Sequence, residues 1–185
     1  TSTITLGLTE DELSQRLVDA GFMDLARIGA FKQSAQHRRT TLADELIRSG
    51  TMSAYQIQTI AMNKSETLRI GPATIIDKLH EGRVANTYRI RMPGDSSPLV
   101  MRMLHPQWSR DPGQRRQYEI TVESLKDFHH PNIVATRGCL IADQSFGVIT
   151  EFVESLSLSE LRAYTIPPTV LIYLCHQALA GVVGA

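Results

Sequence analysis

The apolar positions keep a helical period up to about residue 62, turn strand-like between Leu68 and Leu104, and return to a helical period around residues 114–128. They alternate again up to Val153 and end on a mostly apolar helical tail. The first change is announced by capping chemistry. Leu8-Thr9-Glu10-Asp11-Glu12-Leu13 holds a capping box, Thr9 with Glu12, inside a hydrophobic staple of Leu8 and Leu13. Leu13, Leu17 and Val18 share one helical face, and Gly21 is placed to stop the helix. A second helix is predicted from Asp24 to about Gln36, with His37-Arg38-Arg39 as a solvated connector. Thr41 to Ser49 repeats the first helix, and Ser53 with Gln56 forms another capping box ahead of Ile57 and Ile60.

The two halves of this region resemble each other. Leu17-Val18-Asp19-Ala20-Gly21-Phe22-Met23, closing on Ile28, matches Leu46-Ile47-Arg48-Ser49-Gly50-Thr51-Met52, closing on Ile57. A helix-turn-helix unit is thus present twice, and pairing the copies buries apolar faces that neither could cover alone. The second helices carry no basic face, so the repeat describes packing and not DNA binding. The stretch from Asn63 to Arg69 reads as a polar connector with few reasons to be buried.

Ile75 to Arg91 predicts two strands around a short loop holding Gly82, and Leu99 to Leu104 a third after the breaker-rich Pro93 to Pro98. Arg102 interrupts that apolar third strand. A buried cation is expensive without a partner, so the pattern predicts an inward Arg102 with an anionic group nearby. His105 to Gly113 reads as a loop and Gln114 to Phe128 as a helix. Ile133 to Ala135, Leu140-Ile141 and Gly147 to Ile149 supply two more strands around a turn at Gln144, for five in all. Leu156 to Tyr164 and Pro167 to Ala185 then read as helices.

Composition narrows the class. The 185 residues carry 19 basic and 19 acidic side chains, a formal net charge of 0, which gives no electrostatic ground for nucleic acid or an anionic membrane as partner. Cys139 and Cys175 are isolated and the histidines lack ligand spacing, so no metal site is expected and a reduced, cytoplasmic setting is. His130, before Pro131, reads as a packed cap linking the preceding helix to the sheet. No secretory signal is visible, and the apolar stretch from Val170, broken by His176 and Gln177, is too short to span a bilayer. A first residue that is not Met and a last helix without a stop lead to the expectation that both ends are cut.

Strand, glycine-bearing loop, strand, turn and a cation-bearing strand resemble the nucleotide-binding lobe of the protein kinases. Tyr118 to Phe128 then stands for that family's helix C, His130-Pro131-Asn132-Ile133-Val134 for the segment after it, and Val148 to Glu154 for its hinge strand. Residues 42–79 are also similar to the N-terminal extension of serine/threonine kinase-like proteins of planctomycete-type bacteria. This implies an α+β chain in three parts: a helical module with the duplicated unit at 1–66, a kinase-like small lobe of five antiparallel strands plus helix C at 70–154, and the incomplete start of a helical lobe at 155–185.

The resemblance also implies a nucleotide site. Its three loop glycines fall on His80, Gly82 and Ala85, so that one glycine remains to approach phosphates. Its strand lysine falls on Arg102, a planar fork in place of a compact ammonium. Its helix-C glutamate falls on Thr121. Glu119 and Glu123 lie two residues to either side of Thr121, each roughly 200° around the helix from it, and the expected pairs are Glu119 with Arg115 and Glu123 with Lys126 or solvent. Leu79, Thr87, Val100 and Thr150 match positions lining the adenine pocket, and Glu151 to Val153 would offer backbone groups to the base. The catalytic aspartates fall after Ala185 in the family's order, so no catalytic residue is assigned here. ATP and magnesium are implied as weakened cofactors, and a protein as partner or substrate. The expected function is that of a pseudokinase or regulatory interaction module in bacterial signalling. The alternatives are part of an active ATP-dependent serine/threonine kinase completed after residue 185, and a non-catalytic helical protein-binding module.

Overall fold

The structure, a computed structural model, describes residues 7–142 and 145–184 and divides into two units, the first ending in sequence at Ser96 and the second beginning at Ser97. The first unit runs α1 (Glu10–Asp19), α2 (Leu25–Arg38), α3 (Leu42–Arg48), α4 (Ala54–Ala61), a 3-10 turn (Ser65–Leu68), β1 (Arg69–Ile70), β2 (Ala73–Glu81) and β3 (Ala85–Arg91). The second runs β4 (Leu99–Leu104), α5 (Pro106–Ser109), α6 (Pro112–Leu125), β5 (Thr136–Ala142), β6 (Ser145–Glu151), a 3-10 turn (Glu160–Ala163) and α7 (Pro168–Gly184). The α+β class holds. The described residues contain six strands where five were expected, because Arg69-Ile70 adds a short antiparallel edge to Ala73-Thr74. The turn placed at Gln144 lies outside the described residues.

In the first unit both expected capping boxes form, Thr9 with Glu12 and Ser53 with Gln56. Asp24 and Thr41 cap α2 and α4's neighbour α3 through the Arg27 and Asp44 amides. The two copies of the repeat stop in the same way. Gly21 and Gly50 take φ of +65° and +69°, a left-handed conformation that glycine adopts without a Cβ penalty. Each donates to the carbonyl three residues back, Val18 and Ile47. Leu17, Leu46 and Ile57 are fully buried, and Met23, Met52 and Ile28 nearly so. Glu10 of α1 accepts the orphan Leu42 amide at 3.0 Å, tying one copy to the other.

Glu45 is the charged residue at this seam. It is 3% exposed and accepts from Arg48 at 2.6 and 3.0 Å and from the Ser34 hydroxyl at 2.7 Å, with Arg38 3.9 Å away. Hydrogen bonds from Arg48 first, then Ser34, hold its carboxyl down to about 2 from the ordinary 4.5. A carboxylate with a depressed folded pKa stabilises above its unfolded pKa and loses that contribution as pH falls toward the folded value. The difference in melting temperature between the native chain and Glu45→Gln should therefore be largest above about pH 5 and close between about pH 4.5 and 2. A difference independent of pH across that window would contradict the assignment.

The connector from Asn63 to Arg69 is not loosely solvated as expected. Leu68 is fully buried, the Lys64 amide bonds the Thr59 carbonyl at 3.0 Å, and the 3-10 turn carries Leu68 inward. Arg69 donates to the Ala20 and Gly21 carbonyls at 3.2 Å each while its guanidinium lies 5.3 Å from the centre of the Phe22 ring. It thereby satisfies the carbonyls left open at the end of α1. From α4, Gln56 donates to the Ile75 carbonyl at 2.8 Å and Ser53 to the Ile76 carbonyl, so that β2 is held by the helices. Asp77 and Arg89 pair across β2 and β3.

In the second unit β6 lies between β4 and β5, antiparallel to both. Met101, Phe146 and Ile149 are buried, and Val122 is the buried residue of α6. The Phe146 ring sits 5.9 Å from Tyr118 of α6 at 30°, pinning helix to sheet. Two expectations for this unit are corrected. His105 to Gly113 is not a plain loop: Pro106 starts one helical turn, and Asp111 caps α6 at Gly113, two residues earlier than predicted. Leu156 to Tyr164 is not a helix. Ser157 and Glu160 cap each other locally, and only the Glu160–Ala163 turn forms before Pro167 and Pro168.

Candidate nucleotide site

The glycine-loop residues all lie in the first unit. Two irregularities in the β2–β3 ladder, between Ile75 and Asp77 and between Lys78 and His80, put Leu79 at a bulge, where it is 46% exposed. His80 pairs with Thr87 and the Lys78 ammonium with Glu81 at 2.6 Å. The loop closes on itself: the Gly82 amide donates to the Ala85 carbonyl at 3.1 Å. A Cβ on Gly82 would stand 2.7 Å from that carbonyl oxygen, so the close approach admits only glycine. Ala85 is buried, and its oxygen is already engaged by the loop.

The remaining site positions belong to the second unit, where strand register brings two pairs together. Val100 faces Thr150 and Arg102 faces Val148. Alternation sends Met101 and Ile149 into the core and leaves Val100, Arg102, Val148 and Thr150 on the opposite face. Arg102 is therefore exposed, not inward as its apolar neighbours led us to expect, and it forms no ion pair among the described residues. At the end of β6 Glu151 exchanges backbone and side-chain bonds with Ala135, both at 3.0 Å, and Thr150 donates to the Glu151 carbonyl at 3.3 Å. Val153 is half exposed, and its carbonyl accepts from Ser155 at 3.4 Å.

On α6, Thr121 is exposed and turns its hydroxyl back to the Gln117 carbonyl at 2.9 Å. Glu123 pairs with Lys126 at 2.6 Å, as its spacing predicted. Glu119 does not reach Arg115. At Cys139 of β5 burial, with the Glu119 charge second, pushes the thiol up from its ordinary range. No carboxylate of this helix is thus aligned with Arg102 by an ion pair.

His130 also differs from its expected role. Its Nδ1 accepts the Asn132 amide at 3.1 Å, and its ring would meet a side chain at Gly184 of α7 at 2.8 Å. The turn from His130 to Ile133 is a seat for α7, reinforced by a 2.9 Å bond from the Asn132 side chain to the Gln177 carbonyl and by the buried Gly181. The motif was legible in the sequence; Gln177, Gly181 and Gly184 as its counterparts were not, since a mostly apolar helix gives no sign of which face is covered. Arg27 and Arg91, which line a cavity in the first unit, were also passed over.

Among the described residues no three metal-ligating side chains gather, and no helix is long and apolar enough to cross a membrane. No protein-family model and no curated protein sequence matches the chain. Solved structures do match its fold. The PknI kinase domain of Mycobacterium tuberculosis superposes with a TM-score of 0.52 at 18% identity, over 61% of this chain and 47% of that one. A single-substitution variant of that domain gives 0.54 over the same shares, and another structure of it 0.50 at 17% identity, over 56% and 43%. The fold is therefore protein-kinase-like, and the chain spans just under half the length of the kinase domain it matches.

Proposed function

We propose that this is a protein-kinase-like protein with a degenerate nucleotide site, acting as a pseudokinase or regulatory interaction module on a protein partner. A helical module at 1–66 leads into a small lobe at 70–154 and the first part of a helical lobe at 155–185, in a cytoplasmic bacterial signalling protein. The observation that carries the reading is the pairing around Arg102. Phosphoryl transfer in the kinases depends on an ion pair that positions the strand lysine. Here the cation is an arginine without a carboxylate, Thr121 bonds its own helix, and Glu123 is taken by Lys126. The self-closed loop at Gly82 adds to this, because its amide is already spent on Ala85.

Melting the chain with ATP, with and without magnesium, tests the reading. No change in melting temperature is expected. Stabilisation that saturates with nucleotide, about 2.7 kcal/mol at a hundred times Kd, would overturn the degenerate site.

A second reading, an active ATP-dependent serine/threonine kinase whose catalytic aspartates follow residue 185, is favoured by one observation. The outer side of α7 exposes Ile172, Tyr173, Leu179, Val182 and Val183, a larger apolar surface than a water-facing helix needs. Phosphate transfer by the native protein, abolished when a downstream aspartate is changed to alanine, would establish that reading over the first.

A further inference from the structure

Between the helical repeat and the strands, all within the first unit, lies a cavity of about 230 Å³. The same positions of both copies of the repeat line it. Phe22 and Met23 come from the first turn and Thr51 and Met52 from the second, and Arg27 and Gln56 follow at equivalent places in α2 and α4. The strands contribute Thr74, Ile76 and Arg91, with Thr74 and Arg91 directly opposite each other in the β2–β3 ladder.

The polar chemistry of this lining has one sign. It includes two arginines and no acidic residue. Neither Arg27 nor Arg91 forms an ion pair among the described residues. The nearest acidic residue along α2, Asp24, is occupied as its cap, accepting the Arg27 backbone amide at 2.7 Å, and does not line the cavity. At the place equivalent to Arg27, Gln56 is committed to the Ile75 carbonyl, so the two copies differ in that only Arg27 keeps a side chain available to the cavity. Two arginines lining one cavity with Thr74, and with Thr51, whose hydroxyl is 2.9 Å from that of Ser49, suit an anion that accepts several bonds at once, which favours a tetrahedral phosphate over a single carboxylate. The volume lies below the roughly 300–1,000 Å³ of pockets for drug-sized ligands, which suits a phosphate on a short stem better than a whole nucleotide.

We propose that this cavity is a phosphomonoester-binding site, with Arg27 and Arg91 as the charged clamps and the paired turns of the repeat as its apolar walls. The phosphate is carried either by a small free ester or by a phosphorylated side chain of a protein. The test uses the whole chain and three probes followed by calorimetry and thermal melting: O-phosphoserine, a phosphoserine peptide with its unphosphorylated form, and inorganic sulfate. Phosphorylated probes should bind and raise the melting temperature, and Arg27→Gln and Arg91→Gln should each weaken binding by about tenfold or more. Both arginines are solvent-accessible, so the unliganded variants should melt as the native chain does, and Thr74→Val supplies a milder third variant. Equal binding of O-phosphoserine and the phosphopeptide assigns the free ester as the source, and binding of the phosphopeptide alone assigns the protein. Absence of binding at about 10 mM, a response to sulfate as large as to phosphate monoesters, or unchanged binding by the double variant would each overturn the proposal. Arg102→Ala should leave this binding untouched, which keeps its outcome separate from that of the nucleotide experiment.

Discussion

Removing residues 1–63 should abolish cooperative folding of the first three strands. The shortened chain loses the Gln56 and Ser53 donors to Ile75 and Ile76, the α1 carbonyls that anchor Arg69, and the helices that cover Leu68 and Ile75. Each of those two side chains gains about 1.5–3 kcal/mol from full burial. Their joint exposure takes about 3–6 kcal/mol from a domain whose total stability is about 5–15. Circular dichroism of the shortened chain should show a broad, low-amplitude melt and a tendency to associate. A sharp transition near the native melting temperature would mean that the strands stand without the helices.

The largest single-residue effect is expected at Phe146. Its side chain is 1% exposed and joins β6 to Tyr118 on α6. Phe146→Ala should cost about 3–5 kcal/mol, as transfer and cavity terms add in a site that cannot collapse. About 0.5–1.5 kcal/mol of that belongs to the ring pair. Phe146→Leu, which keeps most of the volume and none of the pairing, should fall well below it. Urea unfolding of the three proteins separates the contributions, and a loss under about 1 kcal/mol for the alanine variant would show that α6 is held elsewhere. The result bears on the site, because the helix that carries Thr121 takes its place on the sheet from this contact and from Val122.

The parts of the fold that the sequence made legible are those whose cause is local. Thr9 with Glu12, and Ser53 with Gln56, announce helix starts because donor and acceptor sit three residues apart on the chain itself. Leu99 to Leu104 is bounded by breakers and was read at its true ends. Apart from the Leu156 to Tyr164 segment and the early start of α6, the misreadings concern which surface is covered by something distant. Arg102 looked inward because its neighbours are apolar, yet the strand alternates, and only the side holding Met101 and Ile149 meets a core. Leu68 looked solvated because six polar or small residues surround it, but the fold needs one large side chain there to close the helices over β2. Glu119 was assigned to Arg115 by helical spacing, yet the two form no ion pair among the described residues, and the Glu119 charge acts instead on Cys139, on a strand far from it in the chain. Arg27 and Arg91 were invisible for the same reason: the cavity they share is made by two turns, the helices after them and two strands.

The repeat gives the helical module a direction. In a perfect duplication both halves would present the same side chain at the position after the turn, and the module would have no front or back. Position 56 holds the sheet with an amide, while position 27 carries a charge that the sheet does not use. That one difference divides the labour of the two halves, the later copy serving as foundation and the earlier one left open to whatever the cell brings.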